Sequence, residues 1–199
     1  MGKHLVLSGV WLALVCLTWF SLLIYERTPG AHAAAAHTWP LRASLMRNAA
    51  GPSLVMFAHP ACPCTRASLT ELGEILLRSD CRRVQTYVVF FADESQGQKW
   101  LATDLVNFAK TMPGVKVIAD VGGVETKLFG ATTSGDLKVY DRSGTLCYSG
   151  GITAERGHEG DSNGKSVVLR LLNKQSLLAV GGHPGANPVF GCPILPEAR

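Results

Sequence analysis

The chain has 199 residues, of which 47% are hydrophobic and 17% charged, with 21 glycines and 10 prolines. That length fits one domain, and those proportions exclude a collagen-like or disordered polymer. The formal net charge of +4 is small and scattered, which excludes the basic footprint of a nucleic-acid binder.

Residues 5–24 carry no charged side chain. As a helix rising about 1.5 Å per residue, they span roughly 30 Å, the thickness of a bilayer's hydrocarbon core. Trp11, Trp19 and Tyr25 supply aromatic rings, and Tyr25 falls where an interfacial anchor sits. Lys3 precedes the run, and Glu26 and Arg27 follow it. The pattern predicts a membrane anchor over 1–27, with the body of the chain outside the cytoplasm, on the periplasmic side. The alternative is a cleaved signal peptide and a secreted body. For that, Ala31, His32, Ala33 and the alanines to Ala36 offer a small-residue cleavage site. However, the apolar run exceeds the usual h-region of about 7–15 residues. Either way the body enters a compartment where disulfides persist.

Residues 28–52 read as a tether followed by a short helix over 41–48, which Gly51 and Pro52 break. The continuous apolar run 54–58 suits a strand buried on both faces. A His-Pro-Ala-Cys-Pro-Cys string, 59–64, leads into a helix in which Leu69, Leu72, Ile75 and Leu76 recur at helical spacing. A second strand is expected over 84–91. Ser95 with Gln98 resembles a capping box, and places Leu101, Leu105, Phe108 and Met112 on one stripe of a helix. Pro113 and Gly114 end that helix. A short strand over 115–119, a short helix over 124–129 and a hairpin of 137–140 with 146–149 follow, turned by Asp141 to Gly144. A polar loop over 153–164 precedes a last helix carrying Val167, Val168, Leu171, Leu172 and Leu178. The globular domain is drawn as 53–182, and 183–199 as an irregular, proline-rich tail. Early strand–helix alternation implies parallel strands, and the hairpin adds an antiparallel pair. The fold class is therefore α/β, a mixed sheet with helices on both faces.

This order, with two cysteines where the first strand meets its helix, resembles the thioredoxin-like superfamily over about 53–180. The anchor-plus-domain layout is similar to exported members of the TlpA and ResA group. The string from His59 to Leu69 and the ending Val189-Phe190-Gly191-Cys192-Pro193 resemble bacterial proteins labelled RedB. The resemblance implies thiol–disulfide oxidoreductase chemistry on a protein thiol or disulfide, with no cofactor beyond the cysteines. Two departures stand out. One residue, Pro63, separates the cysteines where the family has two. Gly135 stands where the family places a cis-proline facing them.

A cysteine at a helix N-terminus meets unpaired N–H groups and the positive end of the helix dipole, which favours its thiolate. Pro63 suits the first helical position, putting Cys62 near the N-cap and Cys64 in the first turn. Arg66, close in sequence, is expected to add positive charge. By analogy with the family's first cysteine, Cys62 is the nucleophile. Cys64 or Cys192 then resolves the mixed disulfide. His59 either tunes the thiolate or ends the strand.

The competing class is a metallochaperone of the Sco type, binding Cu(I) or Zn through His59, Cys62 and Cys64, with His158, His183 or Cys192 completing the site. A third class is a non-catalytic interaction module. A peroxiredoxin-like reading lacks the threonine that family places three residues before its reactive cysteine. Cys16 reads as apolar filler, Cys81 as part of a basic turn, and Cys147 as a core cysteine. Residues 161–164 lack the alternating acidic ligands of a calcium loop.

Overall fold

The computed structural model describes residues 2–79, 83–95, 102–173 and 187–196. Cys81, Gln98, Leu101, Leu178 and His183 lie outside the described residues.

A long helix, α1 (Gly2–Arg27), opens the chain. It is long and apolar enough to cross a membrane, and none of its residues is buried. The body follows as β1 (Ser53–Ala58), α2 (Thr65–Arg78), β2 (Gln85–Ala92), α3 (Asp104–Thr111), β3 (Val115–Val121), α4 (Val124–Phe129), β4 (Asp136–Tyr140), β5 (Leu146–Gly150) and α5 (Asn163–Asn173). The five strands form one mixed sheet in the order β3-β2-β1-β4-β5. β1 runs parallel to β2 and antiparallel to β4, and β2 runs parallel to β3. Its central place explains why β1 is apolar from Leu54 to Ala58: both faces of the strand are buried.

Leu54, Met56 and Ala58 face one core, with Leu69, Leu72 and Ile75 of α2, Val106 and Ala109 of α3 and Val168 of α5. Burying a leucine or isoleucine is worth about 1.5–3 kcal/mol, so the α2 stripe fixes that helix across the sheet. Val55 and Phe57 point the other way, into a second core with Phe129 of α4, Tyr140, Leu45 and Ile194. In the β4–β5 turn, Asp141 Oδ1 accepts from the Ser143 and Thr145 N–H groups at 2.8 Å each. That carboxylate closes the turn.

Two local expectations are corrected. No helix forms over 41–48. The Ser44 N–H goes to Glu125 Oε1 (2.7 Å), the Asn48 N–H to Ser53 Oγ (2.9 Å), and the Met46 carbonyl accepts from Tyr87 (2.9 Å). Side chains of the body take the groups a helix would have used, and Leu45 is drawn into the second core. The helix expected after Ser95 begins at Asp104, because Thr103 is its N-cap and accepts from the Val106 N–H at 3.4 Å. Ser95 instead donates both its N–H and its hydroxyl to Asp93 Oδ1.

The segment after α1 is fastened to the body. Trp39 packs edge-on against Phe129 (5.1 Å) and Tyr140 (5.3 Å), and the Tyr140 hydroxyl donates to the Ala36 carbonyl at 2.9 Å. The described tail, 187–196, is irregular but packed: Val189, Phe190 and Ile194 are buried.

Candidate active site

β1 ends at Ala58, and the chain turns through His59–Cys62, with the Cys62 N–H donating to the His59 carbonyl at 3.1 Å. A second tight turn follows, in which the Thr65 N–H reaches the Cys62 carbonyl (3.1 Å) and the Arg66 N–H reaches that of Pro63 (3.4 Å). The α-helix therefore starts later than the sequence suggests. Cys64 is its N-cap, and exposed Pro63 lies before it.

Cys62 is 1% exposed and Cys64 8%. Cys192 joins them from the tail. Its N–H donates to Cys62 Sγ at 3.4 Å, and its carbonyl accepts from the Ser134 N–H at 2.8 Å. On either side, Thr133 bridges Pro193 antiparallel, and the Ile194 N–H donates to the Thr132 carbonyl (2.9 Å). The tail thus runs as a short strand along residues 132–134, with Cys192 against Cys62. Gly191 makes that approach possible, since a Cβ there would collide with the Ser134 carbonyl. The three cysteines are free thiols.

Burial alone would raise the Cys62 thiol. Hydrogen bonds from the Cys192 thiol and N–H, the Thr65 hydroxyl and the Cys64 backbone outweigh burial and hold Cys62 below the ordinary thiol range. Cys64 is pushed up by burial and by a charged Cys62, with a hydrogen bond and positive charge from Arg156 opposing. Burial, and its hydrogen bond to Cys62, push Cys192 up to about 12. Of the three, Cys62 is the thiol whose ionisation the site favours, and ionisation of its two neighbours is disfavoured.

Ser134 supports this arrangement from β4's approach. Its hydroxyl accepts from the His59 N–H (2.9 Å) and pairs with the Thr65 hydroxyl at 2.6 Å. Gly135 follows with φ +93°, which proline's ring forbids, and its Cβ position faces Ser68 Oγ at 2.7 Å. The half-buried His59 stacks on Phe91 at 6.0 Å, and its Nδ1 accepts from the Ala61 N–H at 3.2 Å. Burial lowers its pKa.

Arg66 does not supply the expected charge: its guanidinium lies over the Phe108 ring at 5.4 Å. The cation facing Cys64 is Arg156, which sequence reasoning passed over inside a polar loop. Its Nη1 donates to the Gly191 carbonyl at 2.6 Å and its Nε to the Thr28 carbonyl at 3.1 Å. The same guanidinium covers the Tyr25 ring at 4.8 Å. Glu71 of α2, fully buried, pins that loop by accepting from the Gly160 N–H at 2.6 Å, and pairs with Lys165.

Among the described residues, the groups close enough together to hold a metal ion are Glu26, Glu155 and His158. That set does not include His59, Cys62 or Cys64. Glu155 already pairs with Arg27 at 2.8 Å. Cys147 stands apart on β5, and burial pushes its thiol up to about 11.

No protein family matches the chain, and no curated protein does. Among solved structures, it is similar to an uncharacterized conserved protein from Geobacillus kaustophilus. The identity is 17% over 87% of this chain and 95% of that one, with a TM-score of 0.59. A hypothetical protein from Sinorhizobium meliloti 1021 is 20% identical over 84% of this chain and 93% of its own, at a TM-score of 0.56. The thioredoxin domain of a thiol-disulfide oxidoreductase from Bacteroides vulgatus is 16% identical over 73% of this chain and 99% of that one, at 0.44. The first two share the fold of this chain, an α/β arrangement on a five-stranded mixed sheet. At 20% identity or less such likeness speaks to the fold, so the chemistry rests on the site's own groups.

Proposed function

We propose that the chain is a thiol–disulfide oxidoreductase acting on protein thiols or disulfides outside the cytoplasm, with α1 as its membrane anchor. The observation that carries this reading is the buried Cys62 sulfur at the start of α2, with Cys64 two residues on and the Cys192 N–H donating to it at 3.4 Å. Hydrogen bonding to that sulfur favours its thiolate, the nucleophilic form, and two further thiols lie beside it. The resemblance of the string from His59 to Leu69 to RedB-labelled proteins supports the same reading.

The Cys62 thiolate attacks one sulfur of a partner's disulfide. A bond forms between Cys62 and that sulfur, the partner's S–S bond breaks, and the departing thiolate takes a proton. Cys64 or Cys192, having lost its proton, then attacks Cys62. An intramolecular disulfide forms, and the partner leaves as a dithiol, reduced by two electrons. The reverse sequence oxidises a partner dithiol. Pro63 stiffens the small Cys62–Cys64 ring, and His59 and Ser134 hold the turn that carries Cys62.

The test is titration of the full-length chain, in detergent, with graded mixtures of reduced and oxidised glutathione. Thiols are trapped by alkylation and mapped by peptide mass. A reversible two-electron transition that includes Cys62, lost in Cys62→Ser, supports the proposal. Cysteines that stay reduced across the range, or full exchange activity in Cys62→Ser, overturn it.

A further inference from the structure

Arg156 touches every part that decides where Cys62 sends its second bond. Nη1 holds the carbonyl of Gly191, the residue directly before Cys192. Through that one peptide the Cys192 N–H is set on Cys62 Sγ. The same guanidinium faces Cys64, the rival partner, with a hydrogen bond and a favourable charge. Its own place is fixed from behind by the Thr28 carbonyl and the Tyr25 ring, and by the Arg156 N–H donating to the Glu26 carbonyl at 3.0 Å. A planar fork with several donors can hold a carbonyl, a cysteine sulfur and a second carbonyl together, which an ammonium cannot do in one geometry.

We propose that Arg156 is the positioning residue that selects Cys192 over Cys64 as the disulfide partner of Cys62. It clamps the tail strand so that Cys192 lies on Cys62, and its contact with the Cys64 sulfur favours reduced Cys64 over a bond to Cys62. This rests on the redox reading above and assigns the resolving thiol that reading leaves open. The step is a two-electron oxidation of the Cys62 and Cys192 thiols by glutathione disulfide. The Cys62–Cys192 bond forms, the glutathione disulfide bond breaks, and the two protons go to the released glutathione.

The experiment compares full-length wild type, Arg156→Gln and Arg156→Lys in detergent, with folding checked by circular dichroism. Each is equilibrated with glutathione disulfide, trapped by acid, and the ratio of Cys62–Cys192 to Cys62–Cys64 linkage is read by peptide mass. Wild type is expected to favour Cys62–Cys192. Arg156→Gln should lower the ratio about tenfold, the worth of one charge-assisted hydrogen bond, and Arg156→Lys should lower it by a smaller factor. A second readout uses the Cys192→Ala background, where no tail linkage is possible. There, loss of the cation facing Cys64 should shift the Cys62–Cys64 couple toward the disulfide by about two- to fivefold in its equilibrium with glutathione, which a purely structural role would not do. A wild-type ratio in either folded variant, or a wild type that favours Cys62–Cys64, overturns the assignment while leaving the redox function standing. Absence of any Cys62 linkage in wild type overturns the redox function itself.

Discussion

Lys138 lies on β4, fully buried, with its Nζ at 2.8 Å from Asp136 Oδ2 and 2.7 Å from Ser149 Oγ. Asp136 is 2% exposed, and its second oxygen has no hydrogen-bond partner. Replacing Lys138 by Met would leave a buried carboxylate that has lost its ion-pair partner, with only the weaker pull of His32 remaining. Such one-sided loss costs about 3–5 kcal/mol, a large share of the 5–15 kcal/mol that holds a domain of this size together. At roughly 2–4 °C per kcal/mol, the melting temperature should fall by about 6–20 °C. The double variant Lys138→Met/Asp136→Leu removes both charges and should recover at least half the loss. Acidity supplies a second check. Burial already holds the Asp136 carboxyl above its usual range, with Lys138 opposing, and losing Lys138 raises it further. The folded pKa then lies well above the unfolded one. The penalty is therefore full above the folded pKa and fades as pH falls toward the unfolded value of about 3.9. Thermal and urea unfolding of the four members of the cycle, at pH 7 and pH 4.5, measure all of this. Equal destabilisation in the single and double variants, or a deficit that does not shrink on acidification, would refute the reasoning.

Three further outcomes are expected. Alkylation of Cys62 should titrate with a midpoint below the ordinary thiol range, slowing about tenfold per pH unit beneath it, and Cys192→Ala should move the midpoint upward by removing one donor; stopped alkylation followed by mass mapping reads both. Gly191→Ala should push the tail off Ser134, cost about 1–3 kcal/mol, and raise the labelling rate of Cys62, as measured by unfolding and by maleimide uptake. Trp39→Ala should lower stability by about 1–3 kcal/mol through its two aromatic contacts, and an unchanged melting temperature would mean the 28–52 segment is not part of the folded unit.

Much of this fold is legible in the residues. β1 reads as a run buried on both faces because it is central, and the α2 stripe reads because Leu69, Leu72 and Ile75 share one core. Local cues mislead where a distant group competes. The helix that carries Leu105 and Phe108 is capped by Thr103, not Ser95, whose hydroxyl donates to Asp93. Residues 41–48 have helical composition, but Glu125, Ser53 and Tyr87 claim their backbone groups. At the site, Cys62, Cys64 and Cys192 are visible as chemistry, yet their meeting is not, since it depends on pairing across about 130 residues. Closeness in sequence favours Arg66. One step along a helix turns a side chain by about 100°, so Thr65 faces Ser134 while Arg66 swings toward α3. Arg156 gives no such signal, because its partners at 28 and 191 lie far away in the chain.

The stacking of Arg156 on Tyr25 also bears on reach. With α1 in a bilayer, the ring sits at the lipid boundary and the guanidinium above it is already part of the cysteine cluster. No slack chain separates them, since Gly30 donates to the Val189 carbonyl at 2.8 Å within three residues of the helix end. The sulfur chemistry would then be confined to a thin layer at the membrane surface. Partners anchored in the same membrane would meet it at high effective concentration, and freely diffusing proteins would have to come down to the lipid to be served.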